Sequence, residues 1–351
     1  MNAVHQKIID AVIQKAEKVC PDSLALIGLY GSAATGDTHE KSDLDLLILI
    51  NDEHGWQLAD GLILNDTGIG YDLYCTSWEM LEDDAACNHA HLSKLFDAPL
   101  IYIKDPDAAE RLQKLRKNAA DLLASDARYA KAQAAFENAK KMYADCFLTD
   151  TISQIRLHAG AVIHFLLDAV MLHHGRYFQK GVKRTFEELG ALSLSFDMET
   201  QIMAVIRAET ADAIRSKLTK LMRSVQTALS VPNQKAAPTQ SNLAGTYEEM
   251  VSNWQNKMKE AVKRDDLFSS FMNMVSFQFM LRELAQNIDI NEQDIMEHFD
   301  PDHLERNAAA FDAALNRYLK EYQKAGLQPK CFANADAFME VYLNATQSAR
   351  P

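Results

Sequence analysis

The stretch GLYGSAATGDTHEKSDLDLLILI, residues 28–50, decides how this chain is read. It sets a Gly-Ser pair, Gly31 and Ser32, ahead of two acids, Asp43 and Asp45, that stand at the mouth of an oily run. Successive side chains in a strand point to opposite faces, so Asp43 and Asp45 share one face while Leu44 and Leu46 turn into a core. Two carboxylates about 4 Å apart, at an effective dielectric of about 20, repel by roughly 4 kcal/mol. Against a total stability of about 5–15 kcal/mol that is large. A shared proton, a basic partner or a divalent metal must offset it, and with oxygen ligands the metal is Mg²⁺ or Mn²⁺. Gly31 and Ser32 follow an apolar strand run and open a helix. Glycine there lets backbone N–H groups come close to an anion, and the serine hydroxyl adds a donor. Each element alone is ordinary, a turn or a solvated strand start. Together they describe a phosphate-sized hole beside a metal-binding acid pair.

The surroundings of that stretch bound the rest. The chain has 351 residues, 48% hydrophobic and 24% charged, enough apolar material for a sizeable core and a length that suggests two or three domains. A formal net charge of -13 argues against a long nucleic-acid surface, which needs clustered Lys and Arg. The five cysteines, Cys20, Cys75, Cys87, Cys146 and Cys331, are odd in number and lack metal-ligand spacing, which suits a reducing compartment. The N-terminal pattern is an amphipathic helix without a signal-peptide core, and no apolar stretch approaches the roughly 20 residues of a membrane span. A soluble cytoplasmic protein with no membrane partner is the expectation.

Apolar runs at 24–30, 44–50, 69–75 and 98–104, separated by turns or helical pieces, predict an α+β region over residues 1–105: a small mixed β-sheet with flanking helices. Asp105 is placed to cap a helix that starts at Pro106. Helical periodicity then dominates residues 106–230 as an all-α helical bundle. The stretch 230–245 has two prolines and no periodicity and reads as a linker or exposed loop. A C-terminal helical region follows over 246–351, in which the methionines of FMNMVSFQFM look like core packing.

Gly-Ser, a gap of ten residues, then acid–apolar–acid–apolar resembles the signature of the nucleotidyltransferase superfamily of the DNA polymerase β type. The likeness covers about residues 20–105. It implies that Asp43 and Asp45 bind metal, most often two Mg²⁺ ions, and that Gly31 and Ser32, with Ser42 just before the acids, hold the phosphates of ATP or another nucleoside triphosphate. It also implies a third carboxylate on a neighbouring strand, for metal binding or for taking the proton from the acceptor hydroxyl. Asp72 in GIGYDLYCT fits, since Tyr71, Leu73 and Cys75 would face the core and leave Asp72 and Tyr74 opposite; Asp66 sits in a turn and fits less well. One departure is Thr35, where several antibiotic-modifying relatives carry an arginine, so that Lys41 or a base from the helical half would have to meet the phosphate charge.

In that half, LHHGRYFQKGVKRTFEEL, residues 172–189, is the densest basic cluster. It resembles a turn that faces the metal site in small-molecule nucleotidyltransferases, including aminoglycoside- and lincosamide-modifying ones. Lys183 and Arg184 would then reach the triphosphate, and Tyr177 or Phe178 could stack on the base. A solvated connection between helices is an equal alternative. His158, His164, His173 and His174 read as ordinary polar or core histidines. No arginine in the helical half is followed after four to six residues by histidine, which argues against the RNase activity of the helical partners of some relatives. The leading expectation is an enzyme, a monomer or homodimer, that moves AMP or another nucleoside monophosphate onto a hydroxyl of a small molecule such as an antibiotic and releases pyrophosphate. The alternatives are an antitoxin-like nucleotidyltransferase that modifies a protein or RNA partner, and a non-catalytic nucleotide-binding relative. Retention of three mutually repelling acids weighs against the last.

Overall fold

The computed structural model describes residues 3–36, 38, 42–231 and 235–344. Lys41 lies outside the described residues. The chain divides into two units, Met1–Val231 and Pro232–Pro351.

The first unit begins with helix α1 (Ala3–Val19), whose Ile8, Ile9, Val12 and Ala16 form one buried stripe. Strand β1 (Leu24–Tyr30), the one-turn helix α2 (Gly31–Thr35) and strand β2 (Asp45–Ile50) follow. A hairpin of β3 (Asp60–Leu64) and β4 (Ile69–Leu73) leads into β5 (Cys75–Ser77), and after α3 (Trp78–Ala85) and α4 (Ser93–Phe96) comes β6 (Leu100–Ile103). The main sheet has the order β5-β2-β1-β6. β2 runs antiparallel to β1 and parallel to β5, and β6 is antiparallel to β1. The β3–β4 hairpin forms its own two-stranded sheet.

β2 reads as a continuous apolar run because both its faces are covered. Leu46, Ile48 and Ile50 join α1 in one core, while Leu47 and Leu49 join a second core shared with α3 and the helices beyond. Asp45 therefore opens the face that looks toward the helical region. The register pairs Asp45 with Tyr30, the residue just before Gly31, so strand pairing alone brings the Gly-Ser turn and the acids together.

The helical region of this unit comprises α5 (Pro106–Ala124), α6 (Ala127–Asp145), α7 (Ile152–His173), α8 (Thr185–Gly190), α9 (Met198–Ile206) and α10 (Ala211–Ala228). Asp105 caps α5 as expected, its carboxylate accepting the Asp107 N–H at 3.0 Å, with Pro106 in the first turn. One hydrophobic cluster runs from Ala25 of the sheet to Leu229 at the end of the helices, so the sheet and this helical region share a core. At 22 residues α7 is long and apolar enough to span a bilayer, contrary to the sequence expectation. Its Ile155, Val162, Leu166 and Leu172 lie in the core, however, and its Asp168 is buried.

The second unit contains α11 (Gln240–Leu243), α12 (Thr246–Met250), α13 (Asn256–Arg264), α14 (Leu267–Asn287), α15 (Leu304–Lys324) and α16 (Ala335–Asn344). Its core is aromatic, with Phe277 against Phe311 at 4.3 Å between ring centres, beside Tyr318 and Tyr322. The boundary between the units falls within 230–245, as a linker would place it, and most of residues 235–242 are exposed; from Lys235 onward, however, the segment is tied to the second unit. Thr239 and Asn242 form a capping box, Leu243 is fully buried, and Ala236 exchanges backbone bonds with Asn287 and Asp289. Of the α14 methionines, Met274 is core but Met272 is exposed, as are Phe268 and Phe279.

Candidate active site

The site starts from the turn after β1. Gly31 takes φ +65°, and a Cβ placed on it would lie 1.9 Å from Asp45 Oδ2. Only glycine fits, for its backbone angle and for the carboxylate that abuts it. The Ser32 backbone N–H donates to that same carboxylate. The sequence assigned the Gly-Ser backbone to a phosphate; here the Ser32 amide is committed to Asp45, which leaves the Ser32 hydroxyl for any ligand. The Thr35 hydroxyl donates to the Gly31 carbonyl at 3.1 Å and holds the turn.

A cavity of about 550 Å³ opens over this turn. Gly31, Ser32 and Thr35 form its floor with Ser42, Asp43 and Asp45. Gly68–Gly70 of the β3–β4 turn make one side, and Gly181, Val182 and Lys183 of the helical region make another. A hollow of about 620 Å³ in the second unit, lined by Trp254, Phe279 and Met280 with Glu249, Glu283, Ser276 and Asn287, is larger but has no cation in its lining.

Electrostatics single out the same place. Burial pushes the Asp45 carboxyl above its usual range, Asp43 adds to the rise, and the Ser32 N–H only partly offsets it. Burial likewise raises the Tyr30 phenol to about 12, with Asp45, Asp84, Asp43 and Asp72 all adding to the shift. Four carboxylates thus act on one phenol. Asp72 is exposed on β4, with Tyr71 and Leu73 buried on the opposite face as the strand alternation predicts. It stands outside the cavity lining yet within electrostatic reach of Tyr30.

The structure therefore gathers Gly31, Ser32, Ser42, Asp43, Asp45 and Lys183 around one cavity. Arg184 is not in its lining; its guanidinium pairs with Glu187 at 3.3 Å. Nor do the two aromatic residues offer a free stacking face. Phe178 is buried against His91, and Tyr177 stacks on Phe96 while its hydroxyl donates to Asp97 at 2.8 Å. Sequence reasoning missed Tyr30 and the Gly68–Gly70 edge. The -xGSx- context pointed to Tyr30, and the TGIG turn pointed to that edge.

Residues 6–88 match the family model described as a nucleotidyltransferase domain. This part of the chain carries the sequence pattern of a nucleotidyltransferase domain. The matched span holds the Gly-Ser turn, Asp43, Asp45 and Asp72. A solved structure of a nucleotidyltransferase-like protein from Exiguobacterium sibiricum is similar at 12% identity over 71% of this chain and 80% of that one, with a TM-score of 0.36. No curated protein matches the chain.

Proposed function

We propose that the first unit carries out divalent-metal-dependent transfer of a nucleoside monophosphate, AMP from ATP, onto a hydroxyl of a small molecule, and releases pyrophosphate. One observation carries the reading: strand register and a glycine with no room for a side chain hold Asp45 beside Asp43, in a cavity that a lysine from the helical region also lines.

The donor set fits Mg²⁺. Both carboxylates line the cavity, and the groups that shift Asp45 are burial, another acid and one N–H, with no cation of the described residues among them. Asp43 and Asp45 would hold the ion, whose chemistry when bound is to offset the charge of the triphosphate and of the transition state. Lys183 and the hydroxyls of Ser32 and Ser42 take phosphate oxygens. The acceptor hydroxyl oxygen forms a bond to the α-phosphorus, the bond to the bridging oxygen breaks, and pyrophosphate leaves. Asp72, exposed outside the lining, accepts the proton of the acceptor hydroxyl. ATP as donor and an antibiotic-like acceptor rest on the motif's resemblance to small-molecule nucleotidyltransferases. The formal charge of -13 suits a cationic acceptor.

Pyrophosphate release from ATP, with a mass-spectrometric screen of small hydroxyl compounds for a monophosphate mass gain, tests this. The wild-type chain should turn over with Mg²⁺ and Asp45→Asn should do so about 10³-fold more slowly. Full turnover by Asp45→Asn would remove the metal role.

A further inference from the structure

Away from the cavity, the sheet part and the helical region bring three ligand-bearing side chains together. His91 follows α3 in the loop before α4, and His164 and Asp168 lie one helical turn apart on α7. His91 Nε2 stands 3.9 Å from Asp168 Oδ1, and His164 Nε2 stands 3.7 Å from Asp168 Oδ2. One ligand atom from each residue lies within 4.8 Å of the others. These separations are too long for hydrogen bonds and, at 3.7 and 3.9 Å to different carboxylate oxygens and up to 4.8 Å across the set, longer than the roughly 3.3 Å edge of a tetrahedron built on bonds of about 2.0–2.1 Å, so the three side chains would have to close in on an ion.

The carboxylate makes the case. Asp168 is 1% exposed, and its one hydrogen bond among the described residues is from the Ala90 N–H to Oδ1 at 2.9 Å. A carboxylate offers about four acceptor sites, and a buried one left so poorly satisfied favours positive charge nearby: Asp168 helps to raise His89, but no lysine or arginine of the described residues pairs with it. One imidazolium would satisfy one oxygen. Two would place like charges on rings 5.2 Å apart. A single cation that accepts a lone pair from each imidazole and one from the carboxylate serves all three groups. The rings now lie parallel, within 3°, and must tilt for both lone pairs to meet. Both side chains are about half exposed, so that rotation is open to them. The surroundings behave like the outer support of a metal ligand. Phe178 stacks on the His91 ring at 5.1 Å, the Phe178 N–H donates to the Ala90 carbonyl at 2.8 Å, and the Ala90 N–H fixes Asp168.

We propose that His91, His164 and Asp168 form a binding site for one divalent transition-metal ion of the zinc class, with a coordination position open to solvent. Two imidazole nitrogens select such an ion over Mg²⁺. The bound ion staples the loop around Ala90 to α7, next to Phe178, which precedes the cavity residue Lys183 by five positions.

The test uses the full-length chain stripped with chelator, in a Cys331→Ser background that removes the exposed thiol. Calorimetric titration with Zn²⁺, and the visible absorption of Co²⁺, should give one equivalent bound, with a rise in melting temperature and no competition from Mg²⁺. His91→Ala and His164→Ala, folded by circular dichroism, should each weaken Zn²⁺ binding at least about a hundredfold. Asp45→Asn should leave it unchanged, which separates this site from the nucleotidyltransferase cavity. Absence of Zn²⁺ binding, binding that survives both histidine substitutions, or binding lost in Asp45→Asn would each overturn the assignment.

Discussion

Asp45 and Asp84 are two inward-set acids of the same domain, and they are treated in opposite ways. Asp84, 7% exposed at the end of α3, meets His89 at 3.2 Å and Lys94 at 3.1 Å. Burial pushes its carboxyl up, but the His89 bond and Lys94 outweigh burial and leave it below the usual range. Asp84 in turn raises His89. Asp45 is shifted upward by burial and by a second acid. A fold that can pair a buried carboxylate with a lysine and a histidine at one position leaves another beside its own kind. The first arrangement stabilises the structure; the second costs stability and makes sense as a place kept for a cation from outside.

Substitutions can break or sharpen that contrast. The largest effect belongs to Asp45→Asn, which should slow pyrophosphate release by about 10³-fold, or about 4 kcal/mol. The same variant should melt no lower than wild type at neutral pH, because it removes a repulsion. The sign follows from the raised carboxyl: its cost is complete above its folded pKa and fades as pH falls through it. The melting gap should therefore close in acid, and a variant that melts far below wild type at neutral pH would place Asp45 with the stabilising acids.

Next comes Gly31→Ala, which puts a methyl onto Asp45 Oδ2 and a side chain at φ +65°. Displacing the carboxylate by about 1 Å should cost about 100-fold in rate, with a smaller loss of stability. Unchanged kinetics would mean that the position of Asp45 is not what the turn exists to hold.

Asp84→Asn should do the reverse of Asp45→Asn. Removing one partner from a mostly buried cluster should cost about 2 kcal/mol, less than a fully buried pair would because Lys94 and His89 keep some solvent. Asp84 is stabilising above the ordinary carboxylate pKa of about 3.9 and loses that contribution as pH falls through its lower folded value. The gap between this variant and wild type, followed by thermal melts, should vanish at low pH.

The smallest effect is that of Lys183→Ala. It should raise the KM for the triphosphate about tenfold, near 1.4 kcal/mol, with kcat little changed. Arg184→Ala should leave KM unchanged, since Arg184 pairs with Glu187 outside the cavity.

The acid pair and the Gly-Ser turn were legible because each rests on a local rule, the two-residue alternation of a strand and the backbone freedom of glycine. Leu44 and Leu46 are buried and Asp43 is exposed, as that alternation requires. β3 escaped the sequence reading because its apolar run, Leu62 to Leu64, is only three residues long and follows Asp60 and Gly61 in a two-stranded hairpin, and none of the β3 residues is fully buried. Residues 235–245 looked like a linker because a capping box and one buried leucine leave no periodicity behind. The cluster of His91, His164 and Asp168 was out of reach for a different reason. His164 and Asp168 share a helical face, but His91 meets them only through the packing of distant elements, which no spacing rule encodes. Which aromatic ring is free was equally hidden, since Phe178 and Tyr177 are taken up by tertiary contacts.

The central claim is that Asp43 and Asp45 are held together to receive a divalent cation with a triphosphate. Calorimetric titration of a non-hydrolysable ATP analogue into the full-length chain, with and without Mg²⁺, tests it most directly. The account predicts tight binding that requires Mg²⁺ in the wild type and is abolished in the Asp43→Asn, Asp45→Asn double variant. Equal binding with and without Mg²⁺, or equal binding by wild type and double variant, would contradict it.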